Sequence, residues 1–194
     1  MFRKKENEFQ YAPVIVKIIE DVTGGGTIAR AELKGVIDEL PPGVIVGVDS
    51  NGLYHAVKTA KVNAVAAADA VAYKVEKNHT FKIGEAVTNG GALEGAADVI
   101  SAIDKTNAEY DTITLAGTIG AAAVGDVLVL ATAKAAAGAA AFKYAPVAIT
   151  MNKIDTTVAN QQSGLLVRGT VNEAVMPYPV DSEIKALMSL IRFV

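Results

Sequence analysis

An apolar run from Val14 to Ile19 leads into Gly24, Gly25 and Gly26, and a segment with Leu33, Val36, Ile37 and Leu40 on one helical face follows. A second apolar run, Val44 to Val48, closes on Asp49. Residues 13–42 therefore read as a strand, a glycine turn and a helix or extended segment, leading into a β-rich domain over 43–194. From Asp49 onward the helical period gives way to short runs rich in Val, Ile, Thr and Tyr, punctuated by Gly, Asn and Asp. "VIVGVDSNGLYHAV" reads as a hairpin turning over Asp49 to Gly52, with Asn51-Gly52 as the favoured turn pair. Further strands are expected in "VAYKVEK", "HTFKIGEAVT", "ADVISAID", "YDTITLAGTI", "GDVLVLATA", "APVAITM", "GLLVRGTVNEAV" and "IRFV".

Two of these strands share an entrance. "KIGEAVT" and "AVGDVLV" each place an apolar residue, a glycine (Gly84, Gly125) and an acid before an apolar strand. The acid is expected to cap the turn by accepting local backbone N–H groups. The alanine-rich "AKAAAGAAAFKYAP" fits a short helix or an ordered loop, since Gly138 interrupts it and Pro146 ends it. A final helix is expected after the extended "MPYPV", capped by Asp181 or Ser182, with Ile184, Leu187, Met188 and Ile191 on one face. The fold class is mainly β: a compact β-barrel or β-sandwich-like body with a short C-terminal helix and an N-terminal extension.

Composition changes the picture in two ways. Hydrophobic residues make up 51% of the 194 positions but aromatics only 6%, and much of the apolar content is alanine, which favours flat, close contacts over deep pockets. The net charge of −3 and the pI near 5.4 supply no basic field, so nucleic acid is not an expected partner. With no cysteine there is no disulfide framework, thiolate nucleophile or cysteine-based zinc site. The stretch Thr112 to Phe142 has few charges, but its glycines and alanines make it too weakly hydrophobic to be expected in a bilayer. The N-terminal "MFRKKENEFQY" does not read as a signal peptide, because acids follow its basic residues.

Candidate chemistry is sparse. Gly24, Gly26 and Ala29 fit G-x-G-x-x-A, with Asp49 about where a dinucleotide fold places its ribose ligand. That motif needs a parallel βαβ unit, and downstream of Asp49 only strands and turns follow, so a glycine turn is the preferred reading. No lysine follows the glycines at phosphate-loop spacing. His55 and His79 are too few and too far apart in sequence to define a metal site, and each is expected as a hydrogen-bonded, partly exposed side chain. Glu76, Glu85, Asp98, Asp104, Glu109 and Asp111 are spread over turns and strand ends, with no pair marked as an acid/base couple. Ser101 and Ser163 lack a nucleophile-elbow context. No catalytic, cofactor-binding or metal-ligating residue is assigned; Gly24, Gly25, Gly26, Gly52, Gly84 and Gly125 are assigned to turns.

Residues 1–12 form an N-terminal arm carrying Phe2, Arg3, Lys4, Lys5, Phe9 and Tyr11. It is either a flexible tail or a segment that orders on a partner, with aromatics as anchors and cations against an acidic surface.

The stretches "GVIVGVDSNGLYHAVKTAKV", "AYKVEKNHTFKIGEAVT", "VISAIDKTNAEYDTITLAGTIGAAAVGDVLVLATAK" and "GLLVRGTVNEAVMPYPVDSEIKALMSLIRFV" span most of the chain from Gly43 onward. Through them the sequence resembles the head fibre and head decoration proteins of tailed bacteriophages, particularly of phages that infect gut Bacteroidetes. The most specific block is "VRGTVNEAVMPYP" followed by an amphipathic helix and a terminal strand. The resemblance implies a non-enzymatic virion protein, made in the bacterial host cytoplasm, that sits on the outer capsid surface, usually as a homotrimer, and contacts the major capsid protein. The arm residues are then the candidate capsid contacts. It departs from a minimal decoration domain in its block through Leu40 and in lacking a long shaft. A host-surface glycan is the alternative partner, with Tyr54, Tyr73 and Tyr178 as candidate platforms.

Overall fold

The computed structural model describes residues 13–90, 93 and 95–194. The chain first lays down β1 (Ile15–Asp21), β2 (Gly26–Ile28), β3 (Glu39–Leu40), β4 (Ile45–Val48) and β5 (Tyr54–Ala56). It then builds β6 (Thr59–Lys61), β7 (Ala72–Val75), β8 (Ala86–Asn89), β9 (Ala97–Asp104), β10 (Asp111–Leu115) and β11 (Val127–Ala131). It returns through β12 (Pro146–Thr150), β13 (Ile154–Asp155), β14 (Gln161–Ser163), β15 (Leu165–Val171), helix α1 (Ser182–Leu187) and β16 (Ile191–Phe193).

The pairing is nested. β1 pairs with β15, β2 with β14, β3 with β13 and β4 with β12, all antiparallel. Together they make an eight-stranded sheet in the order β1-β15-β12-β4-β5-β2-β14, with β16 parallel to β15, plus the two-stranded β3/β13. Residues 13–42 thus contribute β1 to β3 to the same body as the later strands. β6 to β11 form a separate sheet in the order β6-β11-β8-β9-β10-β7, enclosed in sequence between β5 and β12. It curls until its ends meet: Val62 bridges Val75, Asn63 N donates to Lys74 O at 2.8 Å and Glu76 N to Lys61 O at 2.8 Å.

β11 explains how the two sheets share a core. Its sequence, VLVLA, is apolar at every position and buried on both faces. Leu128 and Leu130 point into the curled sheet with Tyr73, Phe81, Val87, Ile100 and Ile113. Val127 and Val129 point out of it against Ile149, Leu166, Val171 and Ile184 of the larger sheet and its helix. The opposite face of the larger sheet packs Val46 and Leu165 with Ile28 of β2, Leu33 of the turns that follow it and Leu40 of β3.

Local chemistry sets the turns. Asp49 accepts from the N–H groups of Asn51 and Leu53, both at 2.9 Å, and Gly52 takes a φ of +80°, making the expected β4/β5 hairpin. The two glycine-acid entrances are alike: Glu85 accepts from Lys82 N and Asp126 from Ala123 N, each at 2.8 Å. Gly84 and Gly125 stand at φ values of +91° and +97°. The strand expected from His79 is therefore cut at Gly84 and starts at Ala86. The alanine-rich segment is an ordered loop, bridged at Ala135 to Ala97 and at Phe142 to Ala131.

Three further expectations need correction. The segment after the glycines, expected as a helix or an extended segment, forms successive turns over residues 31–36, and Gly35 leaves the helical region at φ +79°. Leu33 and Leu40 are still buried. Gly26, expected in a turn, lies in β2, where an added Cβ would run into Leu165 and the Tyr54 ring. α1 is capped by Asp181, which accepts from Ile184 N at 2.8 Å, but Leu187 is exposed and Ile191 has passed into β16.

Candidate functional site

The densest polar cluster forms where three connections meet beside β5. The turn after β2 contributes Glu32, the β4/β5 hairpin Asp49, β5 itself His55, and the segment before β12 Lys143 and Tyr144. His55 stacks on Tyr144, with ring centroids 3.9 Å apart and planes 7° from parallel. Its Nδ1 lies 3.2 Å from Glu32 Oε2 and its Nε2 3.3 Å from Asp49 Oδ2. Glu32 Oε1 accepts from Lys143 Nζ at 3.0 Å and Tyr144 OH at 2.6 Å. Beneath, Lys58 Nζ donates to Glu85 Oε1 at 2.6 Å and to the Glu32 carbonyl at 3.0 Å, and its side chain is fully buried.

The electrostatics hold these groups in place rather than poise them. Burial pushes the Glu32 carboxyl up, but the hydrogen bonds from Tyr144 and Lys143 outweigh it and leave it below its ordinary value. Burial and then the Glu32 hydrogen bond push the Tyr144 phenol up, so it stays a donor. Burial lowers the Lys58 amine despite the opposing pull of Glu85. Backbone donation from Leu53 holds Asp49 low, as its turn role requires. Each carboxylate oxygen of Glu32 and each ring nitrogen of His55 faces a protein partner, so the cluster ties three loops together.

Neither histidine is partly exposed as expected: His55 is 9% exposed and His79, the second, 3%. The His79 Nδ1 accepts from Phe81 N at 3.3 Å, so Nε2 carries the proton; it lies 3.3 Å from Asp111 Oδ2 without forming a hydrogen bond. Lys77 closes the chain with a 2.8 Å contact to Asp111 Oδ1. Burial, reinforced by the charge of Lys105, pushes His79 down to about 4. A cleft of about 200 Å³ opens beside it, lined in part by Val36, Ile37 and Lys105.

Another cleft, of about 410 Å³, lies along the segment Met176 to Val180. Lys61 and Glu76, 3.5 Å apart, form one wall, and Glu173, paired with Lys185 at 2.7 Å, lies on another. Tyr178 lines it between Pro177 and Pro179. Of the other two tyrosine candidates, Tyr73 is excluded as a platform: it is fully buried, and its hydroxyl donates toward Ala70 O and Gly120 O. Tyr54 is half-buried against the core beneath β2.

The arm residues Phe2, Arg3, Lys4, Lys5, Phe9 and Tyr11 lie outside the described residues. The dispersed carboxylates find separate partners: Asp98 meets Lys134 at 2.8 Å, Glu85 meets Lys58 and Asp111 meets Lys77. The glycines resembling a dinucleotide motif lead into β2 instead of a helix, and β4, antiparallel between β12 and β5, is no partner of β1. Sequence reading missed the Glu32 cluster because its members meet only through the nested topology; Glu32 and Tyr144 are 112 positions apart. The one local signal is Lys58, a charge inside the otherwise compact "HAVKTA" run.

No family model matches this chain, and no curated protein or solved structure is significantly similar to it.

Proposed function

We propose that this chain is a non-enzymatic structural protein of a tailed-phage virion, bound to the major capsid protein on the outer surface of the head as a decoration or head fibre protein. The observation that carries the reading is where the unused binding capacity lies. The titratable groups of the densest cluster are engaged with one another, whereas Val65, Ile83, Val124 and Val158 stand exposed on the connections between strands. A surface of that kind suits docking to another protein. The resemblance of the segments from Gly43 onward to head decoration proteins supplies the partner.

Co-sedimentation is the test. Phage particles purified on a density gradient are expected to carry this chain at high copy number with the major capsid protein, read by mass spectrometry. Its absence from intact particles would remove the reading.

The cleft beside Tyr178 favours a second reading, a host-surface glycan module on the same virion, since a ring flanked by acids and a lysine matches a sugar's apolar face and hydroxyl rim. A glycan array with the parent chain and Tyr178→Ala decides it: binding lost in the variant supports a sugar, and no binding by the parent ends that reading.

A further inference from the structure

Of the free edges in this fold, β1 differs from the rest. β14, at the far end of the eight-stranded sheet, is three residues long and polar, Gln161 to Ser163. Short polar edges are poor templates for another strand. The smaller sheet joins β6 to β7 across Val62 and Val75. β1 is seven residues long and, among the described residues, pairs on one side only. Val16, Ile18 and Ile19 are 55%, 50% and 54% exposed, and no other described strand carries three exposed large apolar side chains. An open edge of this length and composition is a template for strand addition.

The order of charges along the strand selects the occupant. In "IVKIIED", Lys17 precedes the two central isoleucines and Glu20 and Asp21 follow them. None of these three charges forms an ion pair among the described residues. Laid antiparallel against itself, the strand sets its Lys17 end against the acidic end, Glu20 and Asp21, of the partner subunit, where one of the two acids shares the Lys17 face, with isoleucines meeting at the centre. A parallel copy would set like charges side by side. We infer that β1 pairs antiparallel with β1 of a second copy of this chain, joining two eight-stranded sheets across a two-fold axis.

The register shifts between β1 and β15, at Ile15/Lys17, Ile18/Glu20 and Glu20/Asp21, bend the strand and shorten the run that can pair. Such a contact falls short of the roughly 800 Å² per partner of a standard interface, so the dimer weakens on dilution.

The test is sedimentation equilibrium of the full chain over a wide concentration range. The expected mass rises from 20.1 kDa toward twice that. Lys17→Glu is expected to hold the chain at the monomer mass, and adding Glu20→Lys and Asp21→Lys to it to restore the dimer. Because the chain has no cysteine, Ile19→Cys is expected to give a disulfide-linked dimer on oxidation. Circular dichroism of each variant separates lost pairing from lost folding. A monomer at every concentration, a trimeric mass, or a folded charge-reversed triple variant that stays monomeric overturns the proposal. So does a monomer that dimerises only after residues 1–12 are removed, which would assign the edge to the chain's own N-terminus.

Discussion

The six-stranded sheet joins its first strand to its last across Val62 and Val75, whereas the eight-stranded sheet ends on β1 with one side of that strand free among the described residues. The smaller sheet fills its interior with side chains that are almost wholly buried, from Tyr73 to Leu128. The larger one spends its apolar residues on two faces and still leaves Val16, Ile18 and Ile19 in solvent. A sheet that closes on itself is complete alone; one that stays open keeps a place for another chain.

Core truncation should break the comparison most severely. Leu128→Ala, in the wall shared by the two cores, is expected to cost about 3 to 4 kcal/mol, read as a drop in the urea midpoint. A loss under about 1 kcal/mol would show that the site collapses around the change and that the closed sheet is less tightly packed than described here.

Acid should act next, again on the closed sheet. Below the ordinary histidine pKa of 6.5 the unfolded chain takes up a proton at His79 that the folded protein refuses until about pH 4. Stability therefore falls as pH drops through that window, by about 3 kcal/mol in full. In His79→Gln this part of the pH dependence should disappear; an unchanged slope in urea titrations at pH 7 and pH 4.5 would place the acid sensitivity elsewhere.

A smaller change sharpens the match between the two glycine-acid turns. Gly84→Ala and Gly125→Ala each force a side chain into left-handed backbone and should each cost about 1 to 2 kcal/mol. Unequal costs would mean that one turn relaxes where its counterpart does not. Smallest of all, Ile19→Ser on the open edge should change stability by no more than about 0.5 kcal/mol, because the side chain leaves one solvated setting for another. A loss well above that would show that β1 is already covered within its own chain.

Much of this fold was legible in the sequence because its strands are short and are bounded by turn residues whose chemistry is local. Asp49-Gly52, the paired Gly84-Glu85 and Gly125-Asp126 entrances and the Asp181 cap all depend on atoms within a few positions of each other. The post-glycine segment was harder to read: Leu33, Val36, Ile37 and Leu40 keep a helical spacing, yet Gly35 and the ties of Arg30 to Thr157 and Val158 hold the backbone in turns. The Glu32 cluster and the His79 chain were out of reach because their members come from distant segments. His79 has Phe81 two positions on as one partner, but the Asp111 it faces and the Val36 and Ile37 that line its cleft come from distant segments.

The nesting of the strands also prescribes an order of assembly during synthesis. Strands β6 to β11 are contiguous in the chain and can close around their core as soon as β11 has left the ribosome. β2 and β4 can pair with β5 at once, but β1 and the outer pairings wait for β12 to β15, and contacts such as Arg30 with Asn160 span 130 positions. Throughout that interval β1 is without its partner β15 beside a finished neighbour. The segment β12 to β15 is the clasp that completes the larger sheet.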